Sequence, residues 1–391
     1  MFKSLASSDP ILLPKTVKAL PCEHLVLIGL VETKKDIERF RELGIAQQVN
    51  ESFIELFERG GSYMKSAYYT ELGSSAVLKL GELEMPTPLD GEVRVKIAVS
   101  GVNPSDWKAR ERGRGGVLPF PTIIPQSDGA GIVDATGDGV SHVKEGERVW
   151  VLNGQWQRPF GTAAEYTVLP AKYVIPLPDT TGLEDGACFG IPFLTAHRAV
   201  FFDGDVTGQT LLIQGGAGTV GHHAIQIAKR GGARVIATVS GAEKAAIAKA
   251  AGADEVLNYK NGDYMDQLLG LTASRGADRI IEVSLSANVH LYDRILAPKG
   301  TAIIYGSGEP VAQVPAMSFI VRGAQLKWFI VYELTESELA TGSAYLNGML
   351  ADGALDTLIG ARFPLDDICA AHDLIAAGQN IGNVVLTVAN L

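Results

Sequence analysis

Apolar and polar residues follow different patterns in successive parts of the 391-residue chain. From Met64 to about residue 185, short runs such as EVRVKIAV and ERVWVL alternate apolar with polar residues and are separated by Gly, Pro and Asp. A period of two with frequent breakers predicts a small all-β unit of the Greek-key or barrel type. From about 190 to 325, apolar strands alternate with helical patterns, which predicts an α/β domain with a doubly wound parallel sheet.

The two ends of the chain differ from this central part. Residues 1–63 place apolar side chains at helical spacing among charges, which predicts one or two amphipathic helices. Two interpretations stay open for them: an extension that packs on a partner or on the body, or an upstream start ahead of a natural Met64. Residues 330–391 end in NVVLTVANL, a strand without a sheet of its own, and we expect it to return to the first domain.

A glycine cluster stands between the first strand of the α/β part and the helix that follows. Gly216, Gly218 and Gly221 come directly after TLLIQ, and a second strand, RVIATV, follows the helix. This βαβ context gives the glycines defined roles: a tight turn, close approach of the backbone to a pyrophosphate, and close packing of helix on strand. The cluster therefore predicts a dinucleotide-binding loop, with the phosphates over the N-terminus of the helix.

The end of the second strand indicates which dinucleotide is preferred. An acidic residue there would accept a hydrogen bond from the ribose 2′-hydroxyl of NAD, but residues 234–242 contain no Asp or Glu. Ser240, Lys244 and Tyr259 are instead expected around a 2′-phosphate. We therefore predict NADPH as the cofactor.

Charge and cysteine content restrict the partners and the compartment. A net charge of −10 does not favour nucleic acid or an anionic membrane surface as a partner. No apolar run is long enough to span a bilayer. Cys22, Cys188 and Cys369 are far apart and odd in number, which argues against a disulfide framework and favours a reducing, cytoplasmic setting.

Several segments in a fixed order give the chain a resemblance to a known family. They include GVNPSDWKAR (101–110), PQSDGAGIV (125–133), GTAAEYTVLP (161–170), GIPFLTAHRAV (190–200), the glycine loop, IIEVSLSANVHL (280–291) and IIYGSG (303–308). With them the chain resembles the zinc-free, zeta-crystallin-like quinone oxidoreductases of the medium-chain dehydrogenase/reductase superfamily. The resemblance covers about residues 64–391 and implies a GroES-like catalytic domain (64–189), a Rossmann NADPH-binding domain (190–325) and a C-terminal return (326–391). Residues 1–63 are left as an N-terminal extension of unknown role.

The resemblance also bears on metal binding. Zinc-dependent relatives carry a Cys near position 103, a His near 127 and a Cys near 191, whereas this chain has Asn103, Ser127 and Ile191. Zinc requires Cys, His or carboxylate ligands, so no metal is expected.

The resemblance implies a set of site residues. Asn103 is expected beside the nicotinamide ribose and Thr195 at the nicotinamide, while Lys108 stands where relatives usually carry a tyrosine, which leaves the proton donor open. For the cofactor, Ala217, Gly218, Thr219 and Val220 match the pyrophosphate loop, Asn288 the adenine side, Tyr305, Gly306, Ser307 and Gly308 the strand end over the nicotinamide, and Trp328, Phe329 and Ile330 the segment that closes the cleft. Plain core packing is an equally open interpretation of the last three.

These features together predict a zinc-independent, NADPH-dependent enzyme that transfers hydride to a small quinone or enone acceptor. An enoyl-thioester reductase on the same fold is the alternative enzyme. A non-enzymatic NADPH-binding protein with a structural or sensing role is the alternative of another class. The resemblance further implies a homodimer paired through the sheet edge around residues 318–332.

Overall fold

The computed structural model of the chain describes residues 62–113 and 115–390. The helices predicted within residues 1–63 therefore lie outside the described residues. The strands are β1 (Tyr63–Tyr68), β2 (Lys79–Glu84), β3 (Glu92–Val102), β4 (Asp128–Thr136), β5 (Arg148–Val151), β6 (Tyr166–Pro170), β7 (Val174–Pro176), β8 (Thr210–Ile213), β9 (Arg234–Val239), β10 (Glu255–Asn258), β11 (Ala277–Glu282), β12 (Leu296–Ile304), β13 (Gln325–Trp328), β14 (Ile359–Pro364) and β15 (Asn383–Thr387).

The helices connect and cover these strands. They are α1 (Pro104–Arg112), α2 (Leu183–Gly186), α3 (Leu194–Val200), α4 (Thr219–Arg230), α5 (Ala242–Ala250), α6 (Tyr264–Leu271), α7 (Leu285–Asn288), α8 (Tyr292–Ile295), α9 (Ala316–Arg322), α10 (Glu336–Ala351) and α11 (Ile368–Ala376). A turn of π-helix, Phe189–Phe193, leads directly into α3. In the described part of the chain, no helix is long and apolar enough to cross a membrane.

A seven-stranded sheet forms the β-rich lobe. Its order is β14-β15-β3-β4-β5-β7, and β6 also pairs with β3. On β3, Val93, Val95 and Ile97 are buried at every second position, as the period-two pattern requires. The C-terminal strand β15 pairs antiparallel with β3, with Val384 opposite Val102, so the end of the chain completes the sheet of this lobe.

A six-stranded parallel sheet forms the second lobe, in the order β10-β9-β8-β11-β12-β13. The strand order reverses between β8 and β11, and ligands of such sheets bind in the crevice at that point. The predicted class, a GroES-like β-rich domain with a doubly wound parallel sheet, is confirmed. The sheet continues through β13, which extends beyond the predicted domain boundary at residue 325. The sequence did not indicate this strand, because four residues show little periodicity.

Two cysteines lie in the described residues, and both are free thiols. Cys188 is buried, and its thiol hydrogen-bonds the Glu184 carbonyl at 3.3 Å. Burial raises the pKa of the Cys188 thiol well above its usual range, so it stays protonated and behaves as a small apolar group.

Candidate dinucleotide and acceptor site

The glycine loop joins β8 to α4 and leaves no space for a side chain at Gly216 or Gly221. A Cβ on Gly216 would lie 2.8 Å from the Cβ of Ala237, and one on Gly221 would lie 2.2 Å from the carbonyl oxygen of Gly215. The helix can therefore approach the sheet only with glycine at both positions. The first-turn amides of α4 have no acceptor within the helix, and such amides bind phosphate. The loop's Ala217 carbonyl accepts a hydrogen bond from Gly382, at 3.1 Å.

Thr195 presents a buried hydroxyl near the start of α3. The residue is 4% exposed, and its Oγ1 has no hydrogen-bond partner among the described residues. A buried hydroxyl without a partner costs free energy unless a ligand or water satisfies it. The arrangement fits a bound amide such as the nicotinamide carboxamide.

A buried carboxylate ties Asn103 to the segment that leads into α3. Asn103 Nδ2 donates to Asp128 Oδ2 at 2.8 Å, and the Ile191 amide donates to the same carboxylate at 2.9 Å. Burial raises the pKa of Asp128 to about 7, although both hydrogen bonds favour the ionised form. Asp128 thus fixes positions 103 and 191 relative to each other. The sequence analysis did not select it, although it directly follows Ser127.

A second buried carboxyl group supports Asn103 from α1. The backbone amide of Asn103 donates to Asp106 Oδ2 at 2.7 Å, and this hydrogen bond caps the N-terminus of α1. Burial raises the pKa of Asp106 well above its usual range, and nearby Asp128 raises it further. The capping pattern of Asn103 and Asp106 was the available sequence signal for this residue.

Lys108 lies on the exposed side of α1, away from these contacts. Its Nζ is 5.8 Å from the centroid of the Trp107 ring, and it makes no hydrogen bond or ion pair with a described residue. Partial burial lowers the pKa of Lys108, and the nearby positive charge of Arg112 lowers it by a smaller amount. The structure therefore does not hydrogen-bond this ammonium group to Asn103 or Thr195.

The residues predicted around a 2′-phosphate gather at the carboxyl ends of two neighbouring strands. Ser240 follows β9, Tyr259 follows β10, and the Tyr259 amide donates to the Val239 carbonyl at 3.1 Å. Lys244 lies in the first turn of α5, just after Ser240, and forms no ion pair within the described ranges. Glu243 is an exposed carboxylate in that same turn.

Asn288 is held by a carboxylate that the sequence analysis did not select. Its Nδ2 donates to both oxygens of Glu282, at 3.0 and 3.1 Å. The fully buried Glu282 also accepts hydrogen bonds from the Tyr292 hydroxyl and the Ser284 amide. Burial raises the pKa of Glu282. The Asn288 amide nitrogen is therefore engaged, and only its carbonyl oxygen is open to a ligand.

A cavity of about 450 Å³ lies at the ends of β12 and β13. It brings together several of the predicted cofactor residues: Tyr305, Gly306, Ser307, Trp328 and Phe329. Gly308 follows Ser307 in the chain but does not line the cavity; a Cβ there would lie 3.3 Å from the Ser284 hydroxyl oxygen. Phe329 also packs against Phe202, with ring centroids 5.9 Å apart, and Ile330 is exposed.

The described residues contain no group of three His, Cys, Asp or Glu side chains placed to hold a metal ion. His222 and His223 lie buried in the first turns of α4. Burial lowers the pKa of His223 to about 3, so this ring is neutral. The Phe193 ring packs edge-on against it, with centroids 5.6 Å apart.

A GroES-like lobe joined to a doubly wound lobe with a glycine cradle defines a dinucleotide-dependent oxidoreductase of the medium-chain dehydrogenase/reductase class. Two family models agree with this class: "Alcohol dehydrogenase GroES-like domain" matches residues 89–179, and "Zinc-binding dehydrogenase" matches residues 219–344. The second name refers to zinc, whereas positions 103, 127 and 191 carry no Cys or His here.

Individual proteins narrow this class to one family. The quinone oxidoreductase of Sus scrofa is 32% identical over 330 residues, which are 84% of this chain and 98% of the relative. A solved NAD-dependent alcohol dehydrogenase is 28% identical, with a TM-score of 0.77, over 83% of this chain and 100% of its own. A mycobacterial protein solved with NADPH is 29% identical, with a TM-score of 0.74, over 83% and 99%. The chain belongs to the zinc-independent quinone oxidoreductase family.

Proposed function

We propose that this protein transfers hydride from NADPH to a small electron-poor acceptor, a quinone or an α,β-unsaturated carbonyl compound, without zinc. The contact that carries the proposal is the Asp128 carboxylate bound to both Asn103 and the Ile191 amide. It holds an uncharged amide where zinc-dependent relatives hold a metal ligand. Hydride transfer then depends on positioning and on hydrogen-bond donors rather than on a Lewis acid.

The residues of both lobes fit a bound dinucleotide. When bound, the reduced nicotinamide supplies the hydride. The loop amides from Gly216 to Gly221 would hold the pyrophosphate, and the unpartnered Thr195 hydroxyl would bind the carboxamide. Asn103 would contact the nicotinamide ribose, and the cavity at Tyr305 and Trp328 would border the nicotinamide side.

The preference for NADPH rests on charge at the end of β9. Ser240, Lys244 and Tyr259 supply two hydroxyl groups and one cation, and residues 234–242 supply no carboxylate. A 2′-phosphate gains charge-assisted hydrogen bonds from such a set. The similar structures include one with NADPH and one of an NAD-dependent enzyme, so the preference has to be measured directly.

Exposed apolar side chains along β13 and α9 support a homodimer formed through this edge of the sheet. Ile320 is 70% exposed and Val321 is 80% exposed, and an uncovered apolar edge of this kind invites pairing. Light scattering is expected to give a dimeric mass for the protein and a monomeric mass for Val321→Asp. A monomeric wild-type protein would rule the dimer out.

Steady-state oxidation of NADPH with phenanthrenequinone, benzoquinone and a simple enone tests the function. We expect chelator-insensitive turnover, faster with NADPH than with NADH. Thr195→Val, which keeps the shape but removes the hydroxyl, is expected to weaken NADPH binding, whereas Thr341→Val on the exposed side of α10 serves as the matched control. Tight NADPH binding without turnover of any acceptor would instead favour an enoyl thioester substrate or a non-enzymatic role.

A further inference from the structure

Tyr332 reaches from the turn after β13 to the N-terminus of α1 in the other lobe. Its hydroxyl donates to Ser105 Oγ at 2.7 Å, and its carbonyl accepts from Asn153 Nδ2 at 3.0 Å. Its ring stacks on Trp156 with centroids 4.4 Å apart and an interplanar angle of 10°. Contacts with two separate segments of the β-rich lobe, the start of α1 and the loop that carries Asn153 and Trp156, therefore fix the position of this residue.

The Tyr332 hydroxyl contacts Ser105, two residues after a position that carries a zinc ligand in zinc-dependent relatives. Ser127, at another such position, lies near enough to this hydroxyl to oppose the rise in its pKa that burial causes. Asn103 and Ile191, at the other two, are joined through Asp128, the residue next to Ser127. A phenol hydroxyl thus contacts the first turn of the helix that begins after Asn103, near the buried Asp106 and Asp128 carboxyl groups.

We propose that, when an acceptor binds, the Tyr332 hydroxyl turns its single proton from Ser105 Oγ to the acceptor's carbonyl oxygen and stabilises the negative charge that develops there during hydride transfer. This inference rests on the proposed function and names the residue that stabilises the developing negative charge in that reaction. The stacked pair of Trp156 and Tyr332 also offers a flat aromatic face beside this donor. Such a face favours planar, conjugated acceptors over saturated aldehydes.

The chemical balance needs only one further proton. The acceptor gains a hydride, with its two electrons, from the reduced nicotinamide, and a proton from water neutralises its oxygen or the adjacent carbon. Burial and the negative charge of Asp106 raise the pKa of Tyr332, so the phenol stays protonated and is not consumed. Stacking on Trp156 holds the ring in place, so its hydroxyl is positioned to donate to developing charge, as in an oxyanion hole.

Lys108, where family members usually carry a tyrosine, is a weaker choice for this role. Its ammonium group lies against Trp107 on the exposed side of α1, while Ser105 on the same helix contacts Tyr332. The donor would thus come from a different element of the chain than in the relatives. A tyrosine distant in sequence would replace the tyrosine that α1 lacks.

The test compares Tyr332→Phe with Tyr173→Phe, a matched control whose hydroxyl has no hydrogen bond within the described ranges. We expect Tyr332→Phe to lower kcat about 100-fold, the loss seen when one oxyanion-hole donor is removed. Its NADPH affinity and melting temperature should stay close to those of the wild type. Ser105→Ala should lower kcat less, because the hydroxyl remains.

A binding measurement separates this inference from the proposed function. Nitrophenol, titrated into the NADP⁺ complex and followed by its absorbance, mimics the acceptor's developing oxyanion. Weaker phenolate binding in Tyr332→Phe would support the role of Tyr332 even if the wild type reduced no quinone or enone. If Tyr332→Phe kept both the kcat and the phenolate affinity of the wild type, the inference would be overturned. The activity of Lys108→Gln would not change that conclusion.

Discussion

The ionisation of Asp128 makes the stability of this protein depend on pH in a defined direction. Its pKa is raised from 3.8 to about 7, mainly by burial. In this pH range the folded protein binds more protons than the unfolded chain, so stability falls as pH rises towards the folded pKa. A difference of about 3 in pKa corresponds to ~4 kcal/mol, of which ~3 kcal/mol falls between about pH 5 and about pH 8.

Asp128→Asn removes this charge and leaves an amide of nearly the same shape. With its oxygen at the Oδ2 position the new side chain still accepts from Asn103 and Ile191, but its amide nitrogen then faces the Ile191 N–H at the Oδ1 position, so a fixed cost of about 1–3 kcal/mol is expected at every pH. The variant should therefore be less stable than the wild type at about pH 5 and regain ~3 kcal/mol of relative stability by about pH 8. Urea denaturation followed by circular dichroism measures both free energies of unfolding.

Asp179→Asn, on an exposed loop, is the control for this experiment. Its stability difference from the wild type should not change with pH. If the difference for Asp128→Asn were also constant between the two pH values, Asp128 would not carry the shifted pKa, and the reasoning from its burial would be refuted.

Further predictions concern the glycine loop, the 2′-phosphate and a buried histidine. Gly221→Ala should abolish NADPH binding in a fluorescence titration, because its Cβ would lie 2.2 Å from the Gly215 oxygen; near wild-type affinity would refute the cradle. Lys244→Gln should reduce the ratio of kcat/KM for NADPH over NADH at least tenfold, whereas an unchanged ratio would remove Lys244 from the 2′-phosphate site. Burial and, to a smaller extent, the positive charge of Arg110 lower the pKa of His372 to about 3. The stability that the neutral His372 ring contributes is therefore present above about pH 6.5 and is lost as the pH falls. In urea denaturation, His372→Leu should lose ~2 kcal/mol less of its free energy of unfolding than the wild type does when the pH falls from about 7 to about 5. An equal loss in both proteins would contradict this.

The sequence predicted those parts of the structure that depend on local patterns. The glycine spacing after TLLIQ and the period-two runs of β3 reflect constraints within a single βαβ unit or a single strand. The return of the last strand was expected because NVVLTVANL had no partner nearby, and the structure pairs β15 with β3. Such features need no knowledge of distant contacts.

The details of the site depend on contacts between segments far apart in sequence. Tyr332 meets Ser105 across 227 residues, and no periodicity marks that pair. Asp128 stands in a glycine-rich strand, and its importance comes from the donors of Asn103 and Ile191. Asn288 reads as a ligand residue, but its amide is bound to Glu282 once the strand and the following turn are folded.

Transfer of deuterium from NADPH labelled at C4 to an enone shows directly whether the protein delivers hydride to such an acceptor without a metal. The saturated product is analysed by mass spectrometry after turnover in the presence of a metal chelator. We expect one stereoisomer of the labelled cofactor to deliver its deuterium to the β-carbon of the product, at a rate that the chelator does not change. Absence of the label from the product, or activity lost with the chelator and restored by zinc, would contradict it.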